Sequence, residues 1–397
     1  MNLSLCMIVK NEAKTLPRCL ASVRGVVDEM IVLDTGSTDD TMAIAHAAGA
    51  QVHPFVWTHN FAEARNASLT HATGDWILVL DADERLAESI HDTLRQTIEN
   101  DQALVVTLVR QEIGATQSPY SLVSRLFRNH PNVRFDRPYH AMIDDSVAEI
   151  LQQEPSWQII QIPDVAIWHD GYAPGAIASR NKIDTARFTM ERFLVNHPGD
   201  PYVCSKLGAL YIQLGRTNNG IELLERGLTS DALEPPVYYE LYYHLGIAYS
   251  RMEHLAQAAQ AYEQAIQQPI LPRLKLGAYS NLGRLRQLSG DLTGAKVLFE
   301  KTLAIDPTFA IGHYNLGMTL KALGQFSEAI AHYQTAIRLD PTHPDAHQNL
   351  GVVLFKLGKM PEGLAAFRTA INLHYQHLNP REAKRLQEGL NEMGFQV

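Results

Sequence analysis

Residues 74–83 read Gly-Asp-Trp-Ile-Leu-Val-Leu-Asp-Ala-Asp, an apolar run that ends in two aspartates separated by one alanine. Further apolar runs predict strands, and the helical spacing between them predicts covering helices; the runs are 3–9, 30–33, 52–56 and 104–109. They are apolar throughout instead of alternating, as expected of parallel strands with helices on both faces. The sequence up to about residue 170 therefore predicts an α/β sheet built from βαβ units.

The residues that follow each strand are the ones to search, because ligands of open α/β sheets bind outside the carboxyl ends of the strands. Acidic and polar residues gather there, at 10–12, 34–41 and 81–84. Two carboxylates one residue apart can bind different groups, one a divalent cation such as Mg²⁺ or Mn²⁺ and the other a sugar hydroxyl. The alternative is a strand-end turn in which Asp83 and Glu84 stabilise the start of a following helix.

Four motifs, in this order and spacing, resemble the family 2 glycosyltransferases. They are Leu3-Ser4-Leu5-Cys6-Met7-Ile8-Val9-Lys10-Asn11-Glu12, Ile31-Val32-Leu33-Asp34-Thr35-Gly36-Ser37-Thr38-Asp39-Asp40-Thr41, Ala64-Arg65-Asn66 and residues 74–83. The resemblance implies a GT-A fold, a Rossmann-like nucleotide-diphospho-sugar transferase domain. It also implies an inverting hexosyltransferase that uses a nucleotide-diphosphate donor, which we expect to be a UDP-sugar, and a divalent cation, Mn²⁺ or Mg²⁺.

The resemblance also implies roles for single residues. It places Asn11 and Glu12 beside the nucleoside, Asp34 at the base and ribose, Arg65 near the nucleotide, Asp81 at the ribose or sugar, and Asp83 at the metal. Many members have two consecutive aspartates where this chain has Asp34-Thr35, so the base contact of the second aspartate is open. The alternative for Asp34 is a turn closed by Gly36.

Residues 124–129 and 168–172 resemble a subgroup of these transferases that carries tetratricopeptide repeats and includes enzymes that glycosylate peptides. Members often have His-Glu where this chain has His140-Ala141. The catalytic base is therefore expected among His140, Asp144 and Asp145, or else the acceptor differs. His169 is expected as a further metal ligand, and a histidine bonded at a strand end is the equal alternative.

The segment from Gly114 to Tyr139 is rich in turns and cations. An activated sugar must be protected from water during transfer. We therefore expect this segment to cover the site.

The second half of the chain is repetitive. The pair Leu-Gly recurs at a spacing of 34 to 38 residues, at Leu207-Gly208, Leu245-Gly246, Leu282-Gly283, Leu316-Gly317 and Leu350-Gly351. A small residue follows 13 positions after each leucine and a large apolar one four positions later, a pattern of closely packed helix pairs that resembles the tetratricopeptide repeat family. The predicted domains are a GT-A domain at 1–170, a helical connector at 171–200, five repeats at 201–378 and a capping helix at 379–397.

Composition excludes several classes of protein. The 397 residues include 34 Lys and Arg against 43 Asp and Glu, a formal charge of −9, so no overall basic surface is available for nucleic acid. The sequence has no apolar run of membrane-spanning length and no basic start, so we expect a cytoplasmic protein without a transmembrane segment. The three cysteines form neither a CxxC pair nor a framework of bridges, and predict no zinc or redox role.

Two functions from different classes remain. The first is a glycosyltransferase whose partners are a nucleotide sugar and a protein or peptide acceptor on the repeats, or whose repeats pair two subunits in a homodimer. The second is an inactive scaffold that binds a protein partner through the repeats. A nucleotidyltransferase would need a Gly-rich phosphate loop after the first strand, where this chain has Lys10-Asn11-Glu12.

Overall fold

The computed structural model of the chain describes residues 1–115, 117–137, 139, 141–170, 180–230 and 234–395. The chain divides into two compact units, Met1–Ala232 and Leu233–Val397. The first unit holds a mixed sheet with its helices, and the described residues of the second are helical or in turns between helices. No helix in the described part of the chain is both long and apolar enough to cross a membrane.

Eight strands make up the sheet. They are β1 (Leu3–Val9), β2 (Glu29–Asp34), β3 (Gln51–Pro54), β4 (Trp76–Val79), β5 (Glu84–Leu86), β6 (Ala103–Glu112), β7 (Tyr120–Arg128) and β8 (Gln158–His169). Their order is β3-β2-β1-β4-β7-β6-β8-β5. All neighbours are parallel except that β7 is antiparallel to both of its neighbours and β5 is antiparallel to β8. The carboxyl ends of β1, β2, β3, β4, β6 and β8 therefore share one edge of the sheet.

The sheet corrects two expectations. The segment from Gly114 to Tyr139 does not as a whole cover the site, because β7 within it lies near the middle of the sheet, between β4 and β6. Its polar side chains, such as Ser124 and Arg125, leave no continuous apolar run to predict a strand. The expectation that Glu84 stabilises the start of a helix is also wrong, because Glu84 begins β5.

Helices cover both faces of the sheet. The first unit contains α1 (Leu16–Ser22), α2 (Thr41–Ala47), α3 (Phe61–Leu69), α4 (His91–Ile98), α5 (Asp144–Gln153), α6 (Arg180–Asn196), α7 (Pro201–Gln213) and α8 (Thr217–Gly227). Leu5 and Leu78 pack with α1, α2 and α4 in one core cluster, whereas Cys6 and Ile77 pack with α3 and α5 in another. Successive strand residues face opposite sides, so continuously apolar strands are what two helical layers require.

The second unit is a succession of helix pairs. Its helices are α9 (Pro235–Arg251), α10 (Leu255–Gln267), α11 (Leu276–Leu288), α12 (Leu292–Ile305), α13 (Ala310–Ala322), α14 (Phe326–Leu339), α15 (Pro344–Lys356), α16 (Met360–Gln376) and α17 (Pro380–Glu392). The glycine of each Leu-Gly pair lies where two helices cross: a Cβ at Gly283 would lie 2.6 Å from Phe299 Cε1, and one at Gly317 2.8 Å from Tyr333 Cε1. An α/β domain followed by a helical solenoid is thus the fold that the sequence predicts.

Candidate active site

The site lies where the strand order reverses. β2 and β3 lie on one side of β1, and β4 lies on the other. Ligands of open α/β sheets bind at such a reversal, outside the carboxyl ends of the strands. The loops after β1, β2 and β4 carry the predicted residues, and β6 and β8 end at the same edge with Glu112 and His169.

Asn11 and Asp34 shape the loops after β1 and β2. Asn11 Oδ1 accepts a hydrogen bond from Thr38 N at 2.7 Å, and Asn11 N donates to Ser37 Oγ at 2.9 Å. The buried Asp34 Oδ2 accepts from the backbone N–H groups of Gly36 and Ser37, each at 3.0 Å. The φ angle of Gly36 is 102°, a left-handed conformation that favours glycine. The turn expected as the alternative for Asp34 is therefore present. The contact of Asp34 with a nucleotide stays a prediction.

Glu12 connects the first loop to α2. Its backbone N–H donates to Thr41 Oγ1 at 2.7 Å, and its carboxylate accepts from Thr15 Oγ1 at 2.7 Å. Because Thr41 is the first residue of α2, the loops after β1 and β2 form one hydrogen-bonded surface. Asn11, Glu12 and Asp34 are thus brought together, as a common nucleoside site requires.

Asp81 lies between two arginines. Its Oδ1 accepts from Arg65 Nη2 at 2.7 Å and its Oδ2 from Arg125 Nη2 at 2.9 Å. Burial disfavours the charged carboxylate, but the charges of Arg125 and Arg65 outweigh it and hold the pKa of Asp81 far below its usual range. The Nη1 atom of each arginine is buried and has no hydrogen-bond partner among the described residues. Arg125 Nη1 also lies 3.9 Å from Glu84 Oε2. Asp81 is therefore an ionised carboxylate held between two guanidinium groups.

A chain of charged side chains holds the loop that contains Asp81. Glu84 Oε2 accepts from Asp81 N at 2.8 Å, and Glu84 Oε1 accepts from Arg110 Nη1 at 2.8 Å. Arg110 Nε donates to Glu112 Oε1 at 2.9 Å, and Arg110 Nη2 lies 2.8 Å from that oxygen in an ion pair. Ser121 Oγ donates to the same oxygen at 3.0 Å. Both glutamates are buried, so each needs these partners to remain charged.

His169 contacts two carboxylates, one at each ring nitrogen. Its Nδ1 lies 2.5 Å from Glu112 Oε2, and its Nε2 lies 3.3 Å from Asp83 Oδ2. Burial lowers the pKa of His169, but the hydrogen bonds to Asp83 and Glu112 and the charge of Glu112 outweigh it and raise the pKa to about 10. The histidine expected as a metal ligand and the aspartate expected to bind the metal are therefore adjacent.

Asp83 and His169 offer two of the ligand types that a divalent cation takes. Among the residues that the structure describes, no group of three or more His, Cys, Asp or Glu side chains could hold a metal ion. A carboxylate oxygen and an imidazole nitrogen are, however, ligands that Mn²⁺ accepts, and phosphate oxygens commonly complete the coordination of such cations. The chemistry of this pair agrees with the predicted metal ligands, and their role stays a proposal.

The three residues expected to supply a base have different outcomes. Asp144 Oδ1 accepts from Ser124 Oγ at 3.0 Å, and burial raises the pKa of Asp144. Asp145 is exposed and forms an ion pair with Arg137, with Nη1 and Nη2 at 2.5 and 3.4 Å from its oxygens. His140 lies outside the described residues. The structure thus distinguishes the two aspartates, because Arg137 forms its ion pair with Asp145.

Arg110, Glu112 and Arg125 lie at the site without having been predicted from the sequence. Arg110 and Glu112 extend the apolar run 104–109, and residues two apart on a strand point to the same face. The Arg-x-Glu pair at the carboxyl end of this predicted strand could therefore have identified Arg110 and Glu112 as candidate site residues. Arg125 lies on β7, which the sequence did not predict, so its place beside Asp81 required the structure.

Comparisons with known proteins identify the family of each part of the chain. The model of the glycosyl transferase family 2 matches residues 4–160. Tetratricopeptide repeat models match residues 201–232, 239–268, 298–331 and 319–358. A TPR repeat-containing protein of Synechococcus elongatus is 47% identical over 289 residues, which cover 73% of this chain and 72% of that protein.

Proteins named as glycosyltransferases match shorter parts of the chain. The SPbeta prophage-derived glycosyltransferase SunS of Bacillus subtilis is 25% identical over 56% of this chain and 52% of that protein. An uncharacterized glycosyltransferase of Rickettsia felis is 40% identical over 23% of this chain and 32% of that protein. The chain therefore spans about half of the first and about a third of the second.

Among solved structures, the MamA protein is 19% identical, covers 45% of this chain and 94% of its own, and has a TM-score of 0.38. That score is too low to support a detailed structural likeness. The family match and the named relatives carry the assignment instead. This chain is a glycosyltransferase in which a family 2 glycosyltransferase domain at residues 4–160 is followed by tetratricopeptide repeats.

Proposed function

We propose that this glycosyltransferase moves a hexose, with inversion, from a UDP-sugar to a protein or peptide acceptor recruited by its repeats. In this proposal a divalent cation, Mn²⁺ or Mg²⁺, binds between Asp83 and His169. The observation that carries the proposal is the 3.3 Å separation of Asp83 Oδ2 and His169 Nε2. These two side chains come from a loop and a strand end that are 86 residues apart in sequence, at the edge of the sheet where the loops after β1 and β2 also lie.

Asp81, Arg65 and Arg125 support the donor side of the proposal. The two arginines keep Asp81 ionised, and a carboxylate that stays charged can accept hydrogen bonds from ribose or sugar hydroxyls but is a poor base. The buried Nη1 atoms of both arginines are donors without partners among the described residues. We infer that Arg65 and Arg125 orient Asp81 and place positive charge beside the donor.

The leaving group of the transfer is a nucleoside diphosphate, whose developing negative charge must be neutralised. A bound divalent cation supplies that neutralisation as a Lewis acid. Asp83 and His169 would hold the cation, while Asn11, Glu12 and Asp34 would shape the surface under the nucleoside. The role of each residue follows from its place at one edge of the sheet.

Asp144 is the better of the two described candidates for the base that deprotonates the acceptor. A base must be able to take up a proton, and burial raises the pKa of Asp144. Asp145 forms an ion pair with Arg137 instead. We therefore assign the proton transfer to Asp144, ahead of Asp145, and His140 stays a prediction.

Thermal stability tests the donor and cation proposals in the full chain. A ligand that binds only the folded state raises the Tm, by the equivalent of about 2.7 kcal/mol at one hundred times its Kd. We expect UDP with Mn²⁺ to raise the Tm, and GDP, CDP and dTDP to raise it less. Asp83→Ala should lose the part of the shift that depends on Mn²⁺.

The matched control is Asp92→Ala, which removes an exposed aspartate from the first turn of α4. It should respond to UDP and Mn²⁺ as the wild type does. If no nucleotide stabilised the wild type, the donor proposal would be overturned and the scaffold function would gain. An unchanged Mn²⁺ response in Asp83→Ala would remove Asp83 from the cation site.

A further inference from the structure

A chain of hydrogen bonds and ion pairs connects Asp81 to Asp83. From Asp81 N it passes through Glu84, Arg110 and Glu112 by hydrogen bonds of 2.8 to 2.9 Å. From Glu112 it continues to His169 Nδ1, and His169 Nε2 faces Asp83. The two aspartates of the strand-end loop are thus the two ends of one chain of charged groups.

Strand pairing places the residues in the middle of this chain of charged groups. His169 is directly opposite Glu84 in the pairing of β5 with β8, and directly opposite Glu112 in the pairing of β6 with β8. Side chains directly opposite on neighbouring strands are in contact range. Groups that are carried by paired strands are also held more precisely than groups on loops. The sheet therefore places His169 next to Glu112, and the orientation of the His169 ring is left to the contact between their side chains.

The charges within this chain of charged groups explain why Glu112 faces a histidine. Glu84 and Glu112 are both buried carboxylates, and Arg110 bonds to both. Arg125 Nη1 also lies 3.9 Å from Glu84 Oε2. Arg110 and Ser121 both donate to Glu112 Oε1, so Glu112 Oε2 is the oxygen that faces His169. A carboxylate can only accept hydrogen bonds when ionised, so it holds the hydrogen of His169 on Nδ1.

We propose that Glu112 is a positioning residue of the cation site: it orients His169 so that Nε2 faces Asp83, while Arg110 and Ser121 hold Glu112 in place. This inference rests on the proposed function, because it takes Asp83 and His169 as the cation ligands. A carboxylate behind a metal-binding histidine fixes the ring and increases its basicity, and its loss weakens metal binding by about 10- to 100-fold.

The test measures Mn²⁺ binding to the full chain in the presence of UDP, from the electron paramagnetic resonance signal of free Mn²⁺. We expect Glu112→Gln to raise the Kd for Mn²⁺ by about 10- to 100-fold. Its matched control is Glu263→Gln, which makes the same chemical change at an ion pair with Arg286 in the second unit and should leave the Kd unchanged. The Tm without Mn²⁺ reports whether the variants are folded.

Glu112→Asp covers the case in which Glu112→Gln does not fold. It keeps the buried charge for Arg110 but withdraws the carboxylate from His169, so it should also weaken Mn²⁺ binding. Wild-type Kd values in both folded variants, or in Glu112→Asp alone if only it folds, would overturn the role of Glu112. In that case binding by the wild type and its loss in Asp83→Ala would leave the proposed function intact. Failure of the wild type itself to bind Mn²⁺ would contradict the proposed function.

Discussion

Asp144 and Asp145 show how two adjacent carboxylates acquire different chemistry from their neighbours. Asp144 is half-buried and accepts a hydrogen bond from Ser124, whereas Asp145 is exposed and paired with Arg137. Burial raises the pKa of Asp144, while the hydrogen bond from Ser124 opposes the shift. The folded protein therefore favours the protonated form of Asp144 more than the unfolded chain does.

This difference predicts a pH dependence of stability. A group whose pKa is raised on folding adds stability when it is protonated, and that stability is lost as the pH rises through the folded-state pKa. Asp144→Asn stays neutral at every pH and can still accept from Ser124. We expect its Tm to exceed that of the wild type at pH 7, with a difference that shrinks as the pH falls toward 4. Thermal melts of both proteins across this range measure it.

Asp145→Asn is the comparison for that experiment. It weakens the ion pair with Arg137, so its Tm at pH 7 should be equal to or below that of the wild type. A constant difference between Asp144→Asn and the wild type from pH 4 to 7 would contradict the raised pKa of Asp144.

At the level of single residues, the sequence predicted the positions that depend only on neighbouring residues in the chain. Asp34, Asp81 and Asp83 directly follow apolar runs, so their place at the carboxyl edge could be predicted. Glu112 could not be paired with His169 in advance, because the two are 57 residues apart and their contact depends on the register between β6 and β8.

At the level of elements, strands were predicted where burial on both faces makes every residue apolar. The predicted run at 3–9 coincides with β1, and the run at 104–109 lies within β6. β5, β7 and β8 were missed, because β5 has only three residues, β7 carries serines and arginines, and β8 contains Pro163 and several exposed positions. Where the side chains of a strand line a site, the site and not the core determines which of its residues are polar.

The helix crossings of the second unit give a prediction at this level. A Cβ at Gly283 would lie 2.6 Å from Phe299 Cε1, so either the buried ring or the helices must shift. We expect Gly283→Ala to lower the free energy of unfolding by about 1–3 kcal/mol, the usual cost of overpacking. Urea unfolding followed by circular dichroism measures the change.

Gly389→Ala is the matched control within α17. A Cβ there meets no atom within 4 Å, so the better helix propensity of alanine should stabilise the protein by up to about 1 kcal/mol. The two substitutions are chemically identical and should have opposite signs. A stabilising Gly283→Ala would mean that close packing does not explain the Leu-Gly repeat.

At the level of the whole molecule, the sequence predicts a boundary at residue 200, whereas the compact units divide at Ala232 and Leu233. The difference concerns α7 and α8, which follow the repeat pattern but belong to the first unit. Their buried side chains Val203, Leu207 and Leu223 pack in one cluster with Met190 and Leu194 of α6. Asp200, just before α7, also bonds to Arg137 at 2.9 Å.

These contacts predict how fragments of the chain will behave. A fragment of residues 1–232 keeps the whole cluster, so it should melt cooperatively and respond to UDP and Mn²⁺ as the full chain does. Both fragments contain Arg137 and Asp200, so the cluster is what distinguishes them. A fragment of residues 1–200 leaves Met190 and Leu194 exposed, and each buried Val or Leu removed from such a cluster costs about 1.5–3 kcal/mol. We expect its Tm to be lower by at least about 5 °C, with aggregation visible by size-exclusion chromatography. Equal stability of the two fragments would instead favour the boundary at residue 200, with α7 and α8 contributing nothing to the transferase unit.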